Sequence, residues 1–251
     1  MRRGRRKAGA ADAATGAPGW GRIRDGFRHL TQGASGLDEQ ALTEKGLEAA
    51  PSTKPGRVLL LACGALAREI IAIRDLNGWD HMDLACLPAK LHNYPDLIPE
   101  AVRARIRQAR ADGFASIYVV YADCGTGGLL DKVCREEGVE RVEGPHCYSF
   151  FEGNEAFAAA TEAGEITAFY LTDFLAKQFD TLMWKGMGLD RHPELMPMIF
   201  GNYTKIVYLA QTDDPAIEAK ARAAADRLGL AFEKRATGYG DLTAFLARAA
   251  G

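Results

Sequence analysis

Three of the five cysteines follow predicted strands and could share one reactive site. Cys63 ends the apolar run RVLLLAC and Cys124 ends the run SIYVVYADC, and a glycine that permits a tight turn follows each of them. Cys147 lies in the loop GPHCYSFFEG, after the short predicted strand VERVEG. Because ligands bind at the carboxyl ends of the strands in a parallel sheet, we expect the three thiols at the same edge.

Three thiolates are suited to zinc or iron, since both ions favour tetrahedral sites rich in sulfur. His146 or a ligand from solution could complete such a site, and His146 could also donate a proton. Group or methyl transfer to or from sulfur is the reaction class that suits thiolate-bound zinc. The sequence therefore predicts a zinc or iron cofactor. The competing interpretation is packing, because no CxxC pair is present and a buried free cysteine more often fills core space.

The loop ADCGTGG could bind a small anion through its backbone amides, because it precedes a predicted helix. It lacks the lysine of a P-loop and does not match GxGxxG, so no nucleotide cofactor motif is present. A small acid or phosphate group is the predicted substrate. The residues assigned to substrate binding in this loop are Gly125, Thr126, Gly127 and Gly128.

A second polar loop, GLDRHPEL, could clamp the same anionic substrate. Asp190 and Arg191 supply a carboxylate and a fixed cation, and His192 could transfer a proton. The alternative is an ion pair that only shapes the loop. Glu69, on the helix after the first predicted strand, is a further candidate base that could equally lie on a solvated face. His92, in LPAKLHNYP, could bind metal or transfer protons.

These candidate residues must be positioned by alternating strands and helices. From residue 57 onward, about seven apolar runs typical of strands alternate with segments of helical spacing. This order predicts an α/β domain at 56–251, with a mainly parallel sheet of about seven strands covered by helices. The strand and helix pairs before and after about residue 165 could form two similar lobes with a cleft between them.

Residues 1–55 differ in composition and are predicted to form a disordered basic leader. They begin MRRGRRKAGAADAATGAPGWG and continue with glycine, alanine and mixed charge. Such a segment buries too little apolar surface to offset the entropy of the chain.

Composition limits the partners and the compartment. With 31 basic and 33 acidic residues, no global positive field would attract nucleic acid or an anionic membrane. No apolar stretch approaches the roughly 20 residues that cross a bilayer, and no secretion signal follows the first arginines. An odd number of cysteines fits a reducing compartment better than a disulfide framework. We therefore predict a cytoplasmic protein whose partner is a small molecule.

Seven motifs in the same order resemble the uncharacterised family catalogued as domain of unknown function 1638. They extend from about residue 57 to the end of the chain and are ACGALARE, LPAKLHN, ADCGTGG, GPHCYSFFEG, LTDFLAKQFD, GLDRHPEL and NYTKIVYLAQ. The resemblance implies a shared site at Cys63, Glu69, His92, Asp123, Cys124, His146, Cys147, Asp190 and His192. Members of this family sometimes occur near corrinoid-dependent methyl-transfer systems, which implies such a methyltransferase system as a partner.

Three functions stay open at the level of sequence. The first is a metal-dependent protein that transfers a group, such as methyl, on a small anionic substrate. The second is a metal-free enzyme with racemase-like or lyase-like activity, in which Cys63 and Cys147 act as acid and base or as nucleophile and partner. The third is a non-enzymatic accessory or binding protein for a corrinoid methyl-transfer system.

Overall fold

The computed structural model describes residues 36–51 and 55–251 of the chain. Within them the fold is α/β, with seven strands that form two parallel sheets. The predicted fold class is therefore confirmed. The seven strands do not form one continuous sheet, because the sheet divides between the fourth and fifth strands, close to the predicted boundary at residue 165.

The first sheet has four strands in the order β2-β1-β3-β4. Its strands are β1 (Val58–Cys63), β2 (Met82–Leu87), β3 (Ser116–Val120) and β4 (Glu140–Arg141). All six residues of β1 are buried, as expected for a central strand that is covered on both faces. The helices of this half are α1 (Glu39–Glu44), α2 (Ala67–Asn77), α3 (Ile98–Ala111) and α4 (Leu129–Glu137), with short 3₁₀ turns at Gly64–Leu66, Ala89–Asn93 and Pro95–Leu97.

The second sheet has three strands in the order β5-β6-β7. These are β5 (Ala168–Thr172), β6 (Lys205–Ala210) and β7 (Ala231–Ala236). The remaining helices are α5 (Ser149–Glu152), α6 (Asn154–Glu162), α7 (Asp173–Lys177), α8 (Met196–Phe200), α9 (Pro215–Leu228) and α10 (Gly240–Ala250), with a π-helix at Phe179–Lys185 and 3₁₀ turns at Glu165–Thr167 and Pro193–Leu195.

Local sequence signals start and stop the longest helix of the second half, α9. The Asp214 carboxylate accepts a hydrogen bond from the Ala216 amide at 2.8 Å, and Pro215 occupies the first helical position. Gly229 then ends the helix in the left-handed conformation. These are the capping preferences that an isolated helix requires at its two ends.

The two sheets share one hydrophobic core, because helices cross between them. The main core cluster includes buried residues of β1, β3, β5 and β6. Helix α10 follows the second sheet but contacts α2 and α5, and the ring of its Phe245 lies edge-on to Tyr118 of β3 at 6.2 Å. No helix within residues 36–51 and 55–251 is both long and apolar enough to cross a bilayer.

Residues 36–51 pack against the first sheet, although the sequence placed them in a disordered leader. Leu42 of α1 is 2% exposed, and the backbones of Leu47 and Cys86 exchange hydrogen bonds of 2.9 and 2.8 Å. Glu39 accepts from Arg68 and Lys177. The six-residue α1 is too short to give a periodic pattern, so only these tertiary contacts reveal it. The rest of the predicted leader, 1–35 and 52–54, lies outside the described residues.

We expect the Leu42→Ala variant to lose about 2–5 kcal/mol of unfolding free energy, because a fully buried leucine leaves a cavity when it is truncated. Leu76→Ala is the matched control, since Leu76 on α2 is 57% exposed. Urea denaturation of the full chain measures both values. Equal losses in the two variants would contradict the packing of residues 36–51 on the domain.

Candidate functional site

Residues at the carboxyl ends of the first-sheet strands border a cavity of about 310 Å³. Cys63 is the last residue of β1, and His92 and Cys124 lie beyond β2 and β3. His146 and Cys147 lie beyond β4. The opposite wall comes from β5 of the second sheet and from the π-helix. The structure thus brings the three predicted thiols and two histidines to one cavity, at the edge where parallel sheets bind ligands.

Cys124 and Cys147 form the closest contact of the site, with 3.2 Å between their sulfur atoms. Backbone hydrogen bonds hold the two segments side by side, since the Asp123 amide donates to Gly144 O at 3.0 Å and the Cys124 amide donates to Pro145 O at 2.9 Å. Among the described residues, Cys124 is the one non-glycine residue with a positive φ, +49°. A left-handed conformation at a non-glycine residue is uncommon and often marks a functional position.

The contact between the two sulfurs shifts the pKa values of Cys124 and Cys147 in opposite directions. The hydrogen bond from Cys147 lowers the pKa of Cys124 below its ordinary value, against the opposing effect of burial. The same hydrogen bond, together with burial, raises the pKa of Cys147 well above its ordinary value. These directions make Cys124 the thiol that ionises more readily and Cys147 the thiol that keeps its proton. The thiolate is the form of cysteine that acts as a nucleophile or as a metal ligand.

Cys63 is the third thiol of the cavity and is 5% exposed. Burial raises its pKa to about 11, so it stays protonated near neutral pH. Tyr121 lines the same cavity, and burial, reinforced by the three cysteines, raises the pKa of its hydroxyl well above the ordinary value. Within residues 36–51 and 55–251, no group of three or more His, Cys, Asp or Glu side chains is arranged to hold a metal ion.

The two histidines of the cavity are held in the neutral form. Burial, reinforced by His146, lowers the pKa of His92 below its ordinary value. Burial also lowers the pKa of His146, although Asp123 opposes this effect. The His146 ring stacks on Tyr148 at 4.7 Å. A neutral imidazole accepts a proton or a metal ion through one nitrogen, so both rings suit either task.

The ADCGTGG loop binds its own aspartate. The Asp123 carboxylate accepts hydrogen bonds from the Thr126 hydroxyl at 2.6 Å and from the amides of Gly127 and Gly128 at 3.1 and 2.8 Å. Desolvation would raise the pKa of Asp123, but these hydrogen bonds outweigh it and lower the pKa. The amides of Gly127 and Gly128 are thus directed at a carboxylate of the chain. Of the four loop residues predicted to bind substrate, Gly125 lines the cavity.

Asp190, Arg191 and His192 do not line the cavity. The Arg191 side chain is 74% exposed and lies 3.9 Å from Asp190, while His192 is exposed and contacts Glu194 at 3.1 Å. The alternative interpretation of this loop, a local ion pair, describes it better than a substrate clamp or a catalytic histidine.

Glu69 is buried and does not line the cavity. Its side chain belongs to α2, it is 6% exposed, and Oε2 has no hydrogen-bond partner. Burial, reinforced by the nearby Asp173 and opposed by Lys177, raises the pKa of Glu69 to about 7. Asp173 itself accepts hydrogen bonds from Tyr208 and Thr212. Glu69 is neither on a solvated face nor in the cavity.

A comparison with protein families identifies the group to which this site belongs. The family described as Protein of unknown function (DUF1638) matches residues 86–246, more than half of the chain. The chain belongs to this family. Searches of curated proteins and of solved structures each found no match. The range matched by DUF1638 contains His92, Cys124, His146 and Cys147, while Cys63 and Glu69 precede it.

Sequence reasoning missed the aromatic walls of the cavity in this DUF1638 protein. Tyr148 stacks between His146 and Tyr170, at 4.7 and 5.2 Å, and the rings of Phe169 and Tyr203 meet edge to face at 5.3 Å. Tyr148 directly follows Cys147 in the sequence, so its place near the site could have been predicted. Tyr170 and Tyr203 carry no such signal, because they reach the cavity only through the packing of the second sheet on the first.

We expect Glu69→Gln to remove a pH dependence of stability. Because the folded-state pKa of about 7 lies above the ordinary value of 4.5, the folded protein holds this proton more tightly than the unfolded chain. The resulting stabilisation is complete below the ordinary pKa and is lost as the pH rises through 7. Glutamine mimics the protonated acid at every pH.

Urea denaturation at about pH 5 and about pH 8 should show the wild type losing up to about 3 kcal/mol relative to Glu69→Gln as the pH rises. Glu155→Gln, on the exposed part of α6, is the matched control and should run parallel to the wild type. Parallel curves for Glu69→Gln as well would show that Glu69 is not buried as a neutral acid.

Proposed function

We propose that the protein is a metal-free cysteine enzyme in which the Cys124 thiolate attacks a small, uncharged substrate. The observation that carries this proposal is the 3.2 Å contact between Cys124 and Cys147 at the wall of the cavity. A thiolate next to a thiol donor supplies a nucleophile and a proton source at one place. The reactive pair is Cys124 and Cys147, in place of the pair Cys63 and Cys147 considered from sequence.

The chemistry of this pair follows from the assignment of its proton. The Cys124 sulfur forms a bond to an electrophilic carbon, and the leaving group departs with the bonding electrons. The Cys147 thiol protonates that leaving group and becomes a thiolate. A second, nucleophilic substrate then attacks the same carbon and displaces the Cys124 thiolate, while neutral His146 takes the proton of that nucleophile and passes it to Cys147. This sequence is group transfer through sulfur, of the transferase type, without a cofactor.

The lining of the cavity favours an uncharged substrate over the anionic one expected from sequence. Its polar groups are thiols, imidazoles, tyrosine hydroxyls and Thr172, and within residues 36–51 and 55–251 no Lys, Arg, Asp or Glu side chain lines it. The remaining walls are aliphatic, aromatic and methionine side chains. An anion that is moved from water into such a site without a cation loses its solvation and gains no partner. A volume of about 310 Å³ suits a small organic molecule.

The proposal places the protein in a reducing compartment, the cytoplasm. All five cysteines are free thiols in the structure. Reaction through Cys124 requires its sulfur to remain reduced, and a reducing compartment keeps it so.

A second candidate function is a zinc or iron site formed by Cys63, Cys124 and Cys147. It is favoured by the convergence of these three thiols on one cavity that Tyr121 also lines. His146 or His92 would be the fourth ligand, or the fourth position would open toward the cavity. Binding would deprotonate Cys63 and Cys147 and would release the proton that they now hold.

Two alkylating reagents of nearly equal size test the leading proposal. We expect neutral iodoacetamide to modify Cys124 before the other four thiols of the native protein, because Cys124 alone combines a lowered pKa with contact to the cavity. Anionic iodoacetate should react at least about tenfold more slowly relative to iodoacetamide than it does with free cysteine, since the cavity offers no cation. Peptide mass spectrometry gives both rates.

The control for this experiment is Cys134→Ala, which removes a buried thiol of α4 far from the cavity and should leave both rates unchanged. Preferential labelling of Cys134 or Cys86 over Cys124 would overturn the assignment of the nucleophile. If the ratio of the iodoacetate rate to the iodoacetamide rate equals that of free cysteine, the proposal of an uncharged substrate is wrong.

Elemental analysis distinguishes the two candidate functions. Protein purified without oxygen and without a metal-binding tag should contain no stoichiometric zinc or iron if the metal-free proposal holds. Near-stoichiometric metal that is lost in Cys124→Ser but retained in Cys134→Ala would establish the metal site instead.

A further inference from the structure

We propose that Cys124 and Cys147 form a reversible disulfide that switches the site off. The two sulfurs are already 3.2 Å apart, whereas a disulfide bond is about 2.05 Å long. Closing this gap requires about 1 Å of movement, which side-chain rotation can supply. Both residues are half-buried, and both line the cavity through which an oxidant would arrive.

The backbone holds the pair ready for this bond. Two hydrogen bonds, from the Asp123 amide to Gly144 and from the Cys124 amide to Pro145, fix the segment after β3 against the segment after β4. The two cysteines are 23 residues apart in the chain, so their contact is imposed by tertiary structure. A pair positioned in this way pays little additional strain when the bond forms.

The reaction needs a low-molecular-weight disulfide as its oxidant. The Cys124 thiolate attacks one sulfur of that disulfide, forms a mixed disulfide, and releases one small thiolate. The Cys147 thiol then loses its proton to the released thiolate or to His146, and its sulfur attacks Cys124. The second small thiolate leaves. Two protein thiols are oxidised, and one small disulfide is reduced to two thiols.

The other three cysteines are shielded from this chemistry. Cys63, Cys86 and Cys134 are buried. Burial raises the pKa of Cys63 and of Cys134 to about 11 and raises the pKa of Cys86 well above its ordinary value. Each is therefore protonated and slow to exchange. One specific disulfide per chain is expected rather than general oxidation.

Formation of the disulfide removes the nucleophile of the proposed function. Oxidation state would then control whether the cavity reacts, and reduction by small thiols would restore it. The inference does not depend on the proposed reaction, because the sulfurs can pair whether or not Cys124 attacks a substrate. Iodoacetamide labelling of the reduced protein tests the proposed function separately.

The experiment treats the native full chain with oxidised glutathione, quenches it in acid, and alkylates it after denaturation. We expect the number of alkylated thiols to fall from five to three, the mass before alkylation to fall by about 2 Da, and peptide mapping to join Cys124 to Cys147. Dithiothreitol should restore all five thiols.

Variants identify the attacking sulfur. Cys147→Ser should stop at a mixed disulfide between glutathione and Cys124, whereas Cys124→Ser should form neither product. Cys134→Ala should still form the bond. The mapping on the wild-type protein needs no variant, so a misfolded mutant cannot obscure the result. Five unreacted thiols in the oxidised wild type, or a bond that joins any other pair, would overturn the proposal.

Discussion

The Asp123 carboxylate is the constraint on which the geometry of the site depends. It accepts hydrogen bonds from the Thr126 hydroxyl and from the Gly127 and Gly128 amides, so the chain must fold back on itself directly after β3. Cys124 lies inside this turn and adopts its positive φ. The Asp123 amide also donates to Gly144, which brings the next loop, and with it Cys147, against Cys124. Asp123 thus positions both sulfurs, one through its side chain and the other through its backbone amide.

The cavity itself results from the division of the fold into two sheets. A single seven-stranded sheet would align all carboxyl ends along one edge, whereas here β5 of the second sheet faces the carboxyl ends of the first. The aromatic residues of β5 close the space above the sulfurs, and α10 returns to the first sheet and ties the halves together. The thiols therefore share the cavity with aromatic side chains, and this is the basis of the proposal that the substrate is uncharged.

The parts of the site that were predicted from sequence are those that depend on local position. Cys63 and Cys124 end β-type runs, and in a parallel sheet this alone determines the edge at which they lie. The hydrogen-bond partners of a loop cannot be predicted from its position after a strand. The glycine amides of ADCGTGG could have bound an external anion or the carboxylate of Asp123, and both arrangements have the same sequence. Glu69 was ambiguous for a similar reason, since α2 has a polar residue there whichever way it faces.

In the proposed function, the thiolate of Cys124 has an uncommon source of stabilisation. In many cysteine enzymes a histidinium or lysine balances the charge of the thiolate, but here burial lowers the pKa of both cavity histidines, and no Lys or Arg of the described part of the chain lines the cavity. The charge is supported mainly by a thiol donor, whose hydrogen bond is weak. Such a thiolate is less solvated and less neutralised than one in an ion pair, and it keeps more of its nucleophilicity. The same weak support makes its charge easy to remove, either by bonding to carbon or by bonding to the neighbouring sulfur.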